Sequence, residues 1–136
     1  MRKIFISILL ALSIATCTDA RMHVPPTVKE IENQYRVFNE QYFDNKLPKD
    51  VVIDYSESDD MASTMRMRDG RFHIAFNEKF VAAPRIMNLV LLHEQCHVRT
   101  WEEPLKHGPL WRTCMLTLDV TGAFRNEMID NYEEKL

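Results

Sequence analysis

The chain has 136 residues, 46% hydrophobic and 27% charged, with a formal net charge of −3 at pH 7. That is room for one domain around one core, and the balance excludes a disordered or fibrous chain. With Arg66, Arg68 and Arg71 as the basic cluster in an acidic chain, a strong grip on phosphate backbones is not expected, which argues against nucleic acid as a partner.

The first twenty residues stand apart. Arg2 and Lys3 precede an apolar run from Ile4 to Ala15 broken only by Ser7 and Ser13, and polar residues then lead to Ala20. This is the order of an export signal, and the run is too short for a comfortable membrane span. Cleavage after Ala20 would leave residues 21–136 as the mature domain. Two other exits stay open: Ile14-Ala15-Thr16-Cys17 resembles a lipoprotein box with a lipid anchor on Cys17, and an uncleaved segment would itself be an N-terminal anchor. Each puts the domain outside the cytoplasm, periplasmic or extracellular, with membrane contact only through the N-terminal segment. Losing Arg2, Lys3 and Asp19 takes the formal charge from −3 to −4.

After Pro25 and Pro26, Thr27 is the expected N-cap of a helix from Val28 to Phe43, whose Val28, Ile31, Tyr35, Phe38 and Tyr42 step by three and four into one stripe. Asp44 to Pro48 breaks it, and Val51 to Tyr55 is rich enough in β-formers for a strand. Asp69-Gly70 suits a two-residue hairpin turn, which would pair Arg68 with Arg71, Met67 with Phe72, Arg66 with His73, Met65 with Ile74 and Ser63 with Phe76. In that register Met65, Met67, Phe72, Ile74 and Phe76 share a buried face, while the arginines and His73 share the solvated one. Pro84 suits the first turn of a helix reaching Arg99, with Ile86, Leu89, Val90, Leu92, His93, Cys96 and His97 facing inward. Trp101 to Lys106 reads as a loop. Gly108 and Pro109 then open a last core helix containing Leu110, Trp111, Met115, Leu116 and Leu118, and the tail around Met128, Ile129 and Tyr132 adds a short helix.

His93-Glu94-Gln95-Cys96-His97 is the segment that carries chemistry. At 3.6 residues per turn His93 and His97 project from one helix face, close enough to share a cation. Glu94, turned about 100° from His93, stands beside that pair, where it can take a proton from a metal-bound water without ligating the metal. A tetrahedral catalytic zinc needs a third protein ligand and an open fourth position, and His107 supplies the third nitrogen. Glu127 is a second candidate third ligand, because Asn126 to Asp130 faintly echoes the downstream helix of thermolysin-like peptidases. The expected reaction is peptide-bond hydrolysis, with Glu94 as general base and a protein or peptide as substrate. His73, Tyr132 and Arg112 are candidates for the group that stabilises the oxyanion. Cys96 and Cys114 could bridge two helices in an oxidising compartment or lie as buried free thiols. A noncatalytic zinc-containing binding module is the alternative from another class, disfavoured because structural zinc sites usually fill four positions, often with cysteines.

His93, Glu94 and His97 followed by His107, Gly108, Trp111 and Met115, together with the upstream run from Phe38 to Pro48, resemble the SprT-like metallopeptidases related to the Spartan protease. The resemblance covers residues 28–120. It implies an α+β, zincin-like domain in which a small β-sheet with a hairpin packs against an active-site helix and flanking helices. It also implies one zinc ion on His93, His97 and His107, with Glu94 acting on the water. The chain departs from relatives that carry a cysteine-rich zinc ribbon or DNA-binding extensions, so the resemblance extends to chemistry and not to DNA-protein crosslink repair.

Overall fold

Thr27 Oγ1 accepts the backbone N–H of Glu30 while the Glu30 carboxylate accepts that of Thr27, a reciprocal cap that opens helix α1, Val28–Phe43, where expected. The structure is a computed structural model that describes residues 24–129; the expected leader, residues 1–20, and Tyr132 lie outside them. Ile31, Tyr35, Phe38 and Phe43 bury the inner stripe of α1. At about 1.5–3 kcal/mol for each such side chain against about 1 kcal/mol for a cap, burial outweighs capping in fixing this helix to the domain. The helix ends at Asp44 and Asn45, both left-handed. Buried Asn39 holds the exit, its amide donating to the Leu47 carbonyl and accepting the Leu47 N–H, each at 3.0 Å.

Three strands follow: β1, Val52–Tyr55; β2, Ala62–Arg66; and β3, Phe72–Phe76, in the spatial order β1-β3-β2. β1 runs parallel to β3, and β2 is an antiparallel edge strand. The hairpin exists, but its register corrects the expected one by one residue. Thr64 pairs with Ile74, Met65 with His73 and Arg66 with Phe72. The turn holds three residues instead of two: the Met67 N–H reaches the Arg71 carbonyl, the Gly70 N–H returns to the Met67 carbonyl, and Gly70 takes a φ of 88°. The Asp69 carboxylate accepts the Arg71 N–H at 3.0 Å, which withdraws the donor that the shorter turn would need. A one-residue slip exchanges the two faces. Thr64 and Arg66 therefore lie with Phe72, Ile74 and Phe76, while Met65 is 49% exposed. His73, on the opposite face, is half-buried against Asp54, Nε2 to Oδ1 at 2.9 Å, so it is not simply solvated.

A short helix α2, Glu78–Val81, which the sequence reading missed, leads to α3, Pro84–Arg99. α3 presents two faces. Met87, Leu91, Leu92, Cys96 and Val98 enter the core, whereas Leu89, Val90, His93 and His97 line a cleft, and Ile86, expected inside, is 40% exposed. Helix α4, Pro109–Val120, buries Cys114 and Leu118, with Trp111 and Met115 packed against the core; Leu110 and Leu116, also expected inside, are 60% and 62% exposed. Cys96 and Cys114 form a disulfide between α3 and α4, which resolves the two alternatives left open for them. Helix α5, Ala123–Ile129, packs on α3 and α4. Among the described residues no helix is long and apolar enough to cross a membrane.

Candidate metal centre

His93 and His97 lie one turn apart on the cleft face of α3, and His107 ends the loop that turns back to α4. Their Nε2 atoms converge: His93 to His97 is 3.2 Å, and His93 to His107 is 3.4 Å. Two nitrogens bound at about 2.0–2.1 Å to one tetrahedral zinc would stand about 3.4 Å apart, close to both of these separations, and the three donors together lie within 4.8 Å of one another, a set that could hold one ion. Among the described residues these three histidines form the group of side chains close enough to hold a metal ion. Burial pushes the His93 pKa down, with His107 adding to the effect. Burial, His93, His107 and Lys106 together push His97 from 6.5 to about 4. All these influences favour the neutral imidazole, the form that binds metals.

Trp111 forms one wall of the cluster, its ring centroid 4.3 Å from that of His107, 4.8 Å from His93 and 5.5 Å from His97. A flat ring against three imidazoles limits their rotation. It follows His107 by four residues in the sequence, but its contact with all three rings is a tertiary fact.

Glu94 is 4% exposed, with Oε1 4.0 Å from His93 Nε2, beside the histidine cluster and outside it. Burial raises its pKa and nearby Asp60 adds to that, while the Thr64 hydroxyl, donating to Oε2 at 2.6 Å, opposes the rise. Thr64 was missed in the sequence because the expected register turned it away. The cleft that holds these groups has a volume of ≈ 1010 Å³ and lies between edge strand β2, α3 and the 101–106 loop.

The other candidates stand elsewhere. The Glu127 carboxylate accepts from Asn88 and is not one of the clustered donors. Arg112 donates through Nε to the His107 carbonyl at 3.0 Å, with its side chain exposed, and neither it nor His73 lines the cleft.

The loop itself is anchored at both ends. Trp101 packs edge-on against Phe72 with ring centroids 5.5 Å apart, and Arg66 pairs with Glu102 at 3.1 Å. Further on, the Glu103 carboxylate accepts the backbone N–H groups of Leu110 and Trp111 at 2.8 and 3.0 Å.

No curated protein matches the chain. The family model described as SprT-like family matches residues 31–132, a span that takes in α1 from Ile31 onward, the sheet, all three histidines and Glu94.

Proposed function

The chain belongs to the SprT-like family, and from that premise we propose that it is a zinc-dependent metalloendopeptidase with a zincin-like site. The observation that carries the reading is the convergence of three imidazole nitrogens beside a buried carboxylate in one open cleft. His93, His97 and His107 would hold the ion. Zinc bound there would supply Lewis acidity, making water nucleophilic near neutral pH and polarising the scissile carbonyl.

The protein's own groups do the remaining work. Glu94 takes the proton of the attacking water and returns it to the leaving amine, and burial, by raising its proton affinity, suits it to both transfers. Thr64 holds the carboxylate in one orientation. Trp111 and the α3 backbone keep the imidazoles aimed at a common point, since a catalytic site tolerates displacements of only about half an ångström. Export to an oxidising compartment is part of the same proposal, supported by the Cys96–Cys114 disulfide.

The test is metal analysis of the purified protein and of Glu94→Gln, paired with digestion of a peptide library. The expected result is one zinc per chain in both and cleavage by the parent alone. Parent-level cleavage by Glu94→Gln would remove Glu94 from the mechanism. Zinc-loaded parent protein that cleaves nothing would return the chain to a noncatalytic zinc-containing module.

A further inference from the structure

His107 sits on no regular element, yet its imidazole must meet two others that are fixed on a rigid helix. α4 begins at Pro109, directly after Gly108, so the position of the α4 N-terminus sets the position of His107. That N-terminus lacks its usual cap. Gly108, the N-cap residue, has no side chain, and Pro109 has no N–H, which leaves the N–H groups of Leu110 and Trp111 as the first two donors without intrahelical acceptors. The Glu103 carboxylate takes both, Oε1 from Leu110 at 2.8 Å and Oε2 from Trp111 at 3.0 Å. A carboxylate at that end of the helix also complements the helix dipole.

Gly108 makes room for this contact. A Cβ at position 108 would lie 2.3 Å from Glu103 Oε1 and 2.5 Å from its Cδ, so any side chain there would push the carboxylate out of its seat. The backbone of Gly108 is extended, and the requirement is one of space. Gly108 and Glu103 are thus two halves of one device, and the device brackets His107 from both sides: Glu103 four residues before it, and the helix start that Glu103 clamps immediately after it. The same carboxylate grips the N–H of Trp111, whose ring walls all three imidazoles.

We propose that Glu103 is the positioning residue for His107, holding the α4 N-terminus so that the third imidazole meets the other two, and that Gly108 is glycine because Glu103 occupies the space of its side chain. The inference rests on the three-histidine reading of the site, and its readouts do not depend on proteolysis.

The experiment measures zinc affinity by competition with a chromophoric chelator, and the visible spectrum of the cobalt(II)-substituted protein, for the parent, Glu103→Ala, Glu103→Gln, Gly108→Ala and the Glu103→Ala/Gly108→Ala pair. Losing an outer partner of a metal ligand typically weakens metal binding about 10–100-fold, and Glu103→Ala is expected in that range, with a cobalt spectrum altered from the parent's. Glu103→Gln keeps one acceptor oxygen and falls between the two. Gly108→Ala displaces the same carboxylate, so it matches Glu103→Ala, and the double variant is no weaker than either single one. A simple loss of helix stability would lower the melting temperature without changing the cobalt spectrum of the folded fraction. Zinc affinity within twofold of the parent for both Glu103 variants, an unchanged cobalt spectrum, or a double variant whose loss is the product of the two single losses would overturn the proposal. A parent protein that binds no zinc would overturn the metal reading itself and this inference with it.

Discussion

The hydroxyl of Thr64, on the edge strand β2, donates to the carboxylate of Glu94, on helix α3, across 2.6 Å. The bond joins the sheet to the proposed base and opposes the effect of burial on its pKa. Thr64→Val keeps the shape of the side chain and removes the donor. A hydrogen bond to a charged group contributes about 1.5–3 kcal/mol, so kcat/KM on a peptide substrate is expected to fall about tenfold or more, with zinc content unchanged. Unchanged kcat/KM would show that Glu94 is held by its helix and packing alone.

His107 and Glu127 separate in the structure, one inside the nitrogen cluster and the other accepting from Asn88. His107→Ala removes one of three donors and is expected to weaken zinc binding by more than the roughly 10–100-fold typical of losing an outer partner. Glu127→Ala is expected to leave zinc affinity unchanged. Chelator competition on both variants reads the difference directly, and the reverse pattern would move the third ligand to Glu127.

Glu30 contributes to stability only while ionised, because its carboxylate accepts two hydrogen bonds from Thr27, which hold its pKa below the ordinary 4.5. A depressed carboxylate pKa stabilises the fold above the unfolded value and loses that contribution as pH falls through the folded one. The melting-temperature difference between the parent and Glu30→Gln is therefore expected to be full near neutral pH and to shrink below pH 4.5. A difference that grows on acidification would contradict the cap.

The disulfide closes a loop with a sequence separation of 18 residues, and loops of that size correspond to about 3 kcal/mol of unfolding free energy. Cys96→Ala/Cys114→Ala is expected to lower stability by about that amount in urea denaturation, and reductant should do the same to the parent while leaving the variant unmoved. Because the bridge joins the helix of His93 and His97 to the helix that follows His107, the variant should also bind zinc more weakly. An unchanged urea midpoint would show that core packing alone holds α4.

Much of this protein was legible in local patterns. Thr27 followed by Glu30, the stripe through Ile31, Tyr35 and Phe38, and the prolines opening α3 and α4 depend on neighbours within a turn of helix, so sequence order alone determined them. The His93–His97 pair and the place of Glu94 beside it belong to the same class, since helical geometry sets their directions.

Contacts between distant segments were decided only by the tertiary structure. Whether Asp69-Gly70 closes a two- or three-residue loop depends on whether the Arg71 N–H donates to the Asp69 carboxylate or across the turn, and that choice put Thr64, not Met65, on the face that meets Glu94. Leu116 and Leu118 look alike as helix residues, but only Leu118 meets a partner surface. His107 joins the other imidazoles because the path of the intervening loop carries it there, and that path is held by Trp101 on Phe72 and by Glu103 at the start of α4. Periodicity reports the direction of a side chain from its own backbone, whereas a site built across three segments depends on how those backbones pack against one another.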